Sequence, residues 1–282
     1  MITALALLSA FLHAAWNALL RLETEKDRSL VAATVFAAVF AAVVTGIRWA
    51  IGQPPFASLT GLGWTVIAGV FEAIYFATLA AAMTRGTLGT VYTISRGGAV
   101  LLVWPLSVLW FAEVATLGST VGSVLVVAGL ALNGLEVGGR RGTDPRGALT
   151  WAVVCAVSIA GYHLGYKAAL RDGVNPSACF AVALGVAAGI NVVRLGGAGR
   201  REMAARIRAR GPRLAVMGLL CAGSFLLLME ALAVGGSGFV LTLRNTSVLF
   251  AAAMAWWIGE RPSWRALVGV GLVAAGAAVI AW

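Results

Sequence analysis

The amino-acid sequence predicts an all-α integral membrane protein with ten transmembrane helices, arranged as two inverted repeats of five helices each. Three observations lead to this fold class. The composition is very apolar, with 60% hydrophobic residues, 11% charged residues and a mean hydropathy of +0.92 over 282 residues. Apolar runs long enough to cross a bilayer recur along the chain. Polar and small residues of the first half return in the second half at a nearly constant spacing.

Glycine, proline and polar residues separate the apolar runs and mark the predicted connections. The predicted helices cover residues 2–20, 29–50, 61–83, 88–112, 116–136, 148–170, 176–195, 214–234, 236–258 and 263–282. The first run has neither a basic segment before it nor a small-residue cleavage site, so we interpret it as a spanning helix and not as a signal peptide. The glycine-rich loop 138–147 connects two predicted five-helix domains, residues 1–137 and 148–282.

The predicted repeat depends on three sets of matching residues, and the rival explanation is chance similarity between stretches rich in alanine and glycine. Arg96 in the fourth predicted helix corresponds to Arg244 in the ninth, which brings Glu113 within one residue of Glu260. The other matches are Trp16, Asn17 and Arg21 with Tyr162, His163 and Lys167, and Gly122 and Gly129 with Gly269 and Gly276. Because five is odd, the second repeat enters the membrane in the opposite sense. Inverted repeats are typical of secondary transporters that work by alternating access.

The segment 231–280 contains a small-residue turn, a helix that ends in Gly259-Glu260-Arg261, and a last helix with two spaced glycines. This segment resembles the end of an EamA-type permease of the drug/metabolite transporter superfamily. Weaker counterparts in the first half are FATLAAAMTRGTLGTVYTISRGG, FAEVATLGSTVGSVLVVAG and the first-helix motif LHAAWNALLR, although Val114 follows Glu113 where the motif has arginine. The resemblance implies a ten-helix permease. It implies no particular substrate, because this superfamily handles amino acids, sugars, nucleotide sugars, polyamines and drugs.

Polar residues inside the predicted spans are the candidate substrate and translocation residues, because ionisable side chains are costly in a bilayer. Arg96 and Arg244 come first, each about 12 Å from the start of its helix at ~1.5 Å per residue. A guanidinium group binds a carboxylate or phosphate through two parallel hydrogen bonds, which predicts a substrate with an anionic group. The alternative is structural, with Glu72 and Glu230 as ion-pair partners of the two arginines. A buried Glu72 is also a candidate proton carrier.

Further candidates share helix faces with these residues or lie on the matched first and sixth helices, where they would line a cavity between the halves. They are Tyr92, Trp16, Asn17, His13, Tyr162, His163 and Lys167. The structural interpretation is that Asn17 hydrogen-bonds a neighbouring helix and that Lys167, near a helix end, extends to the membrane–water interface. The sequence predicts no catalytic residue, no cofactor and no metal site.

The formal net charge of +10 comes from cations in short loops between apolar runs. Such cations typically set the orientation of a membrane protein. They do not form the basic, aromatic-containing face of a nucleic-acid-binding protein. The loops after odd-numbered helices hold most of these cations, which predicts both termini outside, whereas the resemblance implies termini inside. The densest cluster, residues 200–213, is expected to touch anionic headgroups. We expect a small-molecule transporter in a bacterial inner membrane, a monomer or homodimer, coupled to protons or exchange.

The alternative functions are a membrane enzyme and a drug or amphiphile exporter. A membrane enzyme acting on a lipid headgroup would need paired acidic metal ligands, a nucleophile with its base, or a phosphate-cradling loop, and the sequence has no such motif. A drug or amphiphile exporter would have no requirement for an anionic group. We therefore expect a transporter and not an enzyme.

Overall fold

A computed structural model describes residues 1–85, 91, 93–134, 145–257 and 263–281. All secondary structure in these ranges is helical. The helices are α1 (Ile2–Arg21), α2 (Lys26–Ala50), α3 (Leu59–Arg85), α4 (Gly98–Phe111), α5 (Leu117–Gly134), α6 (Pro145–Arg171), α7 (Pro176–Arg194), α8 (Gly196–Val234), α9 (Ser237–Arg244), α10 (Ser247–Trp257) and α11 (Trp264–Ala281), and a π-helical turn at Thr93–Gly97 leads into α4. The all-helical membrane fold is confirmed within these residues.

The predicted number of spans is matched in the described part of the chain. Seven helices are long and apolar enough to cross a membrane by length and composition. The shorter apolar helices Leu117–Leu132 and Leu267–Ile280 add two spans, and α9 with α10 adds the tenth. Large apolar side chains such as Val39, Ile47 and Leu109 are exposed on the outer faces of the helices. A hydrocarbon surrounding accounts for this exposure, because lipid is as apolar as these side chains.

The structure differs from the predicted helices in two places. The basic segment after α7, predicted as a loop, forms the first part of helix α8. A kink separates it from the rest of α8 at Arg210, whose φ of −134° and ψ of 22° are not helical. Pro212 follows the kink, and its missing N–H interrupts the helical hydrogen bonds there. The predicted ninth helix is divided into α9 and α10 by a two-residue break at Asn245 and Thr246.

Most helix pairs in the core join a helix before residue 135 to one from residue 145 onward. Helix α1 packs on α8, and α6 packs on α3; α2 packs on α7 and α8, and α3 packs on α7. Helix α5 packs on α11.

Glycines bring these partners close. A Cβ atom on Gly276 would lie 2.5 Å from the carbonyl oxygen of Gly122, and one on Gly69 or Gly218 would lie 2.6 Å from the carbonyl oxygen of Ala183 or Ala33. Small residues thus let neighbouring backbones touch.

Candidate functional site

Two arginines lie where their helices depart from regular α geometry. Arg96 belongs to the π-helical turn before α4, and Arg244 is the last residue of α9 before the break. Such irregularities occur frequently at functional sites, and irregular backbone at membrane depth is tolerated where protein surrounds it. The two residues are 2% and 0% exposed, so protein groups enclose both guanidinium groups.

His13 on α1 lies between the two arginines and is fully buried. Its Nδ1 atom is 3.1 Å from Nη2 of Arg244 and 3.2 Å from the indole Nε1 of Trp16, while its Nε2 atom contacts Nη2 of Arg96. A neutral imidazole accepts a hydrogen bond at one ring nitrogen only, yet all three neighbours are donors. At this imidazole the donors therefore outnumber the ring nitrogens that can accept.

Each arginine also contacts helices of its own half. Nη2 of Arg96 lies 3.5 Å from the hydroxyl of Tyr75 on α3, and Nη2 of Arg244 lies 3.4 Å from the hydroxyl of Ser224 on α8. The guanidinium of Arg244 stacks over the ring of Phe225 at 4.2 Å from its centre, a cation–π contact. These contacts hold both side chains toward the middle of the protein.

Glu72 on α3 is fully buried and accepts a hydrogen bond from the hydroxyl of Tyr166 on α6 at 2.8 Å. The Tyr162 ring lies one helical turn away on α6 and stacks on His163, with 4.9 Å between ring centres. Tyr75 and Phe225 approach the same tyrosine ring at 5.5 and 6.1 Å. An aromatic wall thus joins the carboxylate to the arginines.

Several buried polar atoms in this region have no hydrogen-bond partner among the residues that the structure describes. They are Nε and Nη1 of Arg244, Oε1 of Glu72, the hydroxyl of Tyr162 and both ring nitrogens of His163. Leaving a buried polar group unpaired costs about 1–3 kcal/mol, so each of these atoms would gain from a hydrogen-bond partner. They come from α3, α6 and α9, which span both halves of the chain.

The remaining predicted site residues lie elsewhere or outside the described residues. Glu230 accepts from Arg48 at 2.6 Å near one end of α8, so its ion-pair partner is not a central arginine. Nζ of Lys167 donates to the carbonyls of Leu232 and Gly235 at the end of α8, at 2.9 and 2.7 Å. These two residues fasten helix ends and do not join the central cluster.

Asn17 and Tyr92 complete the predicted set. The amide of Asn17 donates to the carbonyl of His13 on its own helix at 2.7 Å, and its side chain is buried. Tyr92 lies outside the residues that the structure describes.

Glu113, whose partner the sequence does not reveal, caps the start of α9. Its carboxylate accepts from the backbone N–H groups of Ser237 at 2.7 Å and Gly238 at 3.4 Å. Ala112 before it has a φ of 50°, a left-handed conformation that turns the chain out of α4. A carboxylate at a helix N-terminus satisfies free N–H groups and complements the helix dipole.

Sequence reasoning missed Tyr75, Ser224, Phe225 and Asn245, whose amide lies 3.5 Å from the carbonyl oxygen of Arg96. The predicted repeat contains a signal for the first two. Arg244 follows Arg96 by 148 residues and Ser224 follows Tyr75 by 149, so the two arginine contacts occupy corresponding positions. Extending the repeat to neighbouring residues would have identified them.

The comparisons with known proteins agree with this architecture. A solved structure described as "Crystal structure of protein" superposes with a TM-score of 0.72, over 99% of this chain and 94% of that chain, at 17% sequence identity. A likeness at this identity shows the fold alone. No curated protein matches the sequence. Residues 146–282 match the EamA-like transporter family. The chain therefore carries an EamA-like transporter domain in its second half, which confirms the resemblance to EamA-type permeases of the drug/metabolite transporter superfamily.

Proposed function

We propose that the protein is a secondary transporter that moves a small polar or amphipathic metabolite with an anionic group across a bacterial inner membrane by alternating access. One observation carries the proposal: Arg96 and Arg244, one from each half of the chain, contact the same buried imidazole of His13. The family match supports membrane transport, and the central arginines support the anionic group.

Donors and positive charge gather around the imidazole of His13. Two guanidinium groups and one indole N–H meet a single imidazole, which satisfies only one donor direction when it is neutral. Burying a charge is costly unless an opposite charge and hydrogen bonds compensate for it. A carboxylate or phosphate provides acceptors for both arginines and one or two negative charges. The site is therefore complementary to an anion.

The packing pattern supports two inverted halves. If α1, α2 and α3 are exchanged with α6, α7 and α8, the α1–α8 pair becomes the α6–α3 pair, and the α2–α8 pair becomes the α7–α3 pair. Exchanging α2 with α7, or α5 with α11, leaves the α2–α7 and α5–α11 pairs unchanged. A two-fold relation between domains 1–137 and 148–282 would produce this pattern, and it would allow a central site to open alternately to either side.

Glu72 is the group that we propose for coupling to protons. It is the one carboxyl group of the described residues that hydrogen-bonds within the central aromatic wall, through Tyr166. A carboxyl group in such a place exists as a neutral acid or as a paired carboxylate, and the arrival of a substrate anion beside Arg244 changes its electrostatic surroundings. The alternative is exchange of substrates without protons, and the second experiment below distinguishes it from proton coupling.

The first experiment is a thermal-shift screen of the purified protein with pairs of metabolites that differ only in a carboxylate or its neutral carboxamide. We expect certain acids to raise the melting temperature and their amides to have no effect. The shift should disappear in Arg96→Gln and Arg244→Gln and persist in Arg265→Gln, which removes an exposed arginine at the start of α11. Hits that are indifferent to both central changes would favour an exporter without an anion requirement.

The second experiment is uptake of an identified acid into proteoliposomes with and without an imposed pH gradient. We expect Glu72→Gln to abolish the response to the gradient while leaving exchange against internal substrate intact. An unchanged gradient response in this variant would contradict a proton-coupling role for Glu72.

A further inference from the structure

The segment after α7 forms a surface helix, residues 196–209. Helix α7 crosses the membrane and ends at Arg194, and the apolar part of α8 crosses back from Leu214. Both points therefore lie at the same membrane surface. A helix that joins them over about 21 Å, at 1.5 Å per residue, runs along that surface. Gly196, with a φ of 65°, makes the turn at its start, and the kink at Arg210 ends it.

The inner side of the surface helix is attached to the protein. Met203 and Ile207 pack against the hydrophobic core. Below them, Glu23 is nearly inaccessible and faces three arginines of this region at 3.0 to 3.6 Å: Arg206, Arg210 and Arg213. The hydroxyl of Ser29 donates to the same carboxylate at 3.1 Å. The protein thus fixes the orientation of the surface helix without using its outer arginines.

The outer side of the surface helix presents Arg200, Arg201 and Arg208, all exposed. Arg201 and Arg208 are seven residues apart, about two helical turns, and so share one face. None of the three forms an ion pair with another described residue. The nearby carboxylates are already used.

Those carboxylates belong to the α1–α2 connection and to the helix itself. Glu25 and Glu202 both contact Arg28, and Asp27 lies 2.5 Å from Arg194. The outer face therefore keeps its positive charge at the membrane surface.

We propose that the outer face of the surface helix is a binding surface for anionic phospholipid headgroups, with Arg200, Arg201 and Arg208 as the contacting residues. A guanidinium group binds a phosphate through two parallel hydrogen bonds. Each cation near an anionic leaflet strengthens lipid association about fivefold, so two arginines account for about 25-fold. This interaction is independent of the transported substrate, because the surface helix is separate from the central cluster.

The test compares the full-length protein in micelles doped with dioleoylphosphatidylglycerol or dioleoylphosphatidylcholine, with the melting temperature as readout. We expect a stabilisation that only phosphatidylglycerol produces. In the Arg201→Gln/Arg208→Gln variant the midpoint of the phosphatidylglycerol titration should move to about 25-fold higher lipid. The matched control is Arg146→Gln/Arg265→Gln, which removes two exposed arginines at the starts of α6 and α11, on the same side of the membrane as the surface helix. The midpoint of this control variant should stay near that of the unmodified protein.

Each remaining outcome overturns the proposal. Equal shifts of the midpoint in both double variants would indicate a response to total charge and not to this helix. An unchanged midpoint in the Arg201→Gln/Arg208→Gln variant would remove these residues from the lipid contact. Stabilisation of the same size by inorganic phosphate in neutral micelles, lost in that variant, would assign the surface to a soluble anion. The melting temperatures in phosphatidylcholine alone show whether each variant is folded.

Discussion

At the scale of single residues, two tyrosines four positions apart on α6 have different surroundings. The hydroxyl of Tyr166 donates to Glu72, whereas the hydroxyl of Tyr162 has no hydrogen-bond partner among the residues described. Both side chains are fully buried and both rings pack in the same aromatic wall. Only the hydroxyl of Tyr166 therefore contributes a hydrogen bond to the stability of the protein without a bound substrate.

We expect Tyr166→Phe to lower the free energy of unfolding by about 1–3 kcal/mol, because it leaves a buried carboxyl oxygen without its donor. Tyr162→Phe is the matched control and should change stability by much less, since it removes a hydroxyl without a protein partner. Unfolding by titration with sodium dodecyl sulfate in mixed micelles measures both. Equal losses in the two variants would contradict the assigned hydrogen bond. If Tyr162→Phe weakens substrate-induced stabilisation instead, its hydroxyl contacts the substrate.

At the scale of elements, the start of α9 is held by groups from the first half of the chain. Glu113 accepts from its first N–H groups, and the indole of Trp104 on α4 donates to the hydroxyl of Thr242 at 3.0 Å. Gly238 fits against the Trp104 ring, where a Cβ atom would lie 2.5 Å from the nearest ring carbon. The α9 helix that carries Arg244 is thus positioned from its N-terminus.

We expect Glu113→Ala to destabilise the protein by about 0.5–2 kcal/mol through loss of the helix cap. Glu113→Gln should cost less, because the amide oxygen still accepts one of the two N–H bonds. Glu25→Ala is the control, since it removes an exposed carboxylate from a surface ion pair, which contributes little. Thermal unfolding in detergent ranks the three variants. A Glu113→Ala variant as stable as the Glu25→Ala variant would rule out a stabilising cap.

At the scale of the whole molecule, helices from the two halves are joined by close backbone contacts. Helix α5 of the first half packs on α11 of the second, and Gly122 and Gly276 meet at their interface. A methyl group there would collide with a backbone carbonyl, which cannot move as a side chain can. By contrast, nothing lies within 4 Å of the Cβ position of Gly271 on the same helix.

We expect Gly276→Ala to destabilise the protein by about 1–3 kcal/mol, the usual cost of overpacking. Gly271→Ala places the same methyl group on α11 without a neighbour and should be neutral or slightly stabilising, because alanine favours the helix. The melting temperatures of the two variants in one detergent make the comparison. Similar values would show that α5 and α11 do not pack through this glycine pair.

Some interactions could be predicted from the sequence and others could not, for reasons that depend on the residues. Apolar runs predicted the spans because membrane insertion depends on local hydropathy, and the spacing of Arg96 and Arg244 predicted their correspondence. The break at Asn245 escaped prediction because the apolar residues on both sides of the polar run 244–247 favoured one continuous spanning helix. The helix at 196–209 was not predicted because this segment is rich in arginine. Its apolar residues Met203 and Ile207 are few in number, and they pack against the hydrophobic core.

The helical membrane fold follows from the sequence alone, since hydropathy is a property of the chain in one dimension, and the internal spacing predicts a repeat. Which polar groups meet depends on how the helices pack. Glu230 pairs with Arg48 and Glu113 with the start of α9, while His13 contacts arginines 83 and 231 residues away. Helices of similar hydropathy can pack in many orders, and the close fit of their small residues and buried polar groups selects one of them.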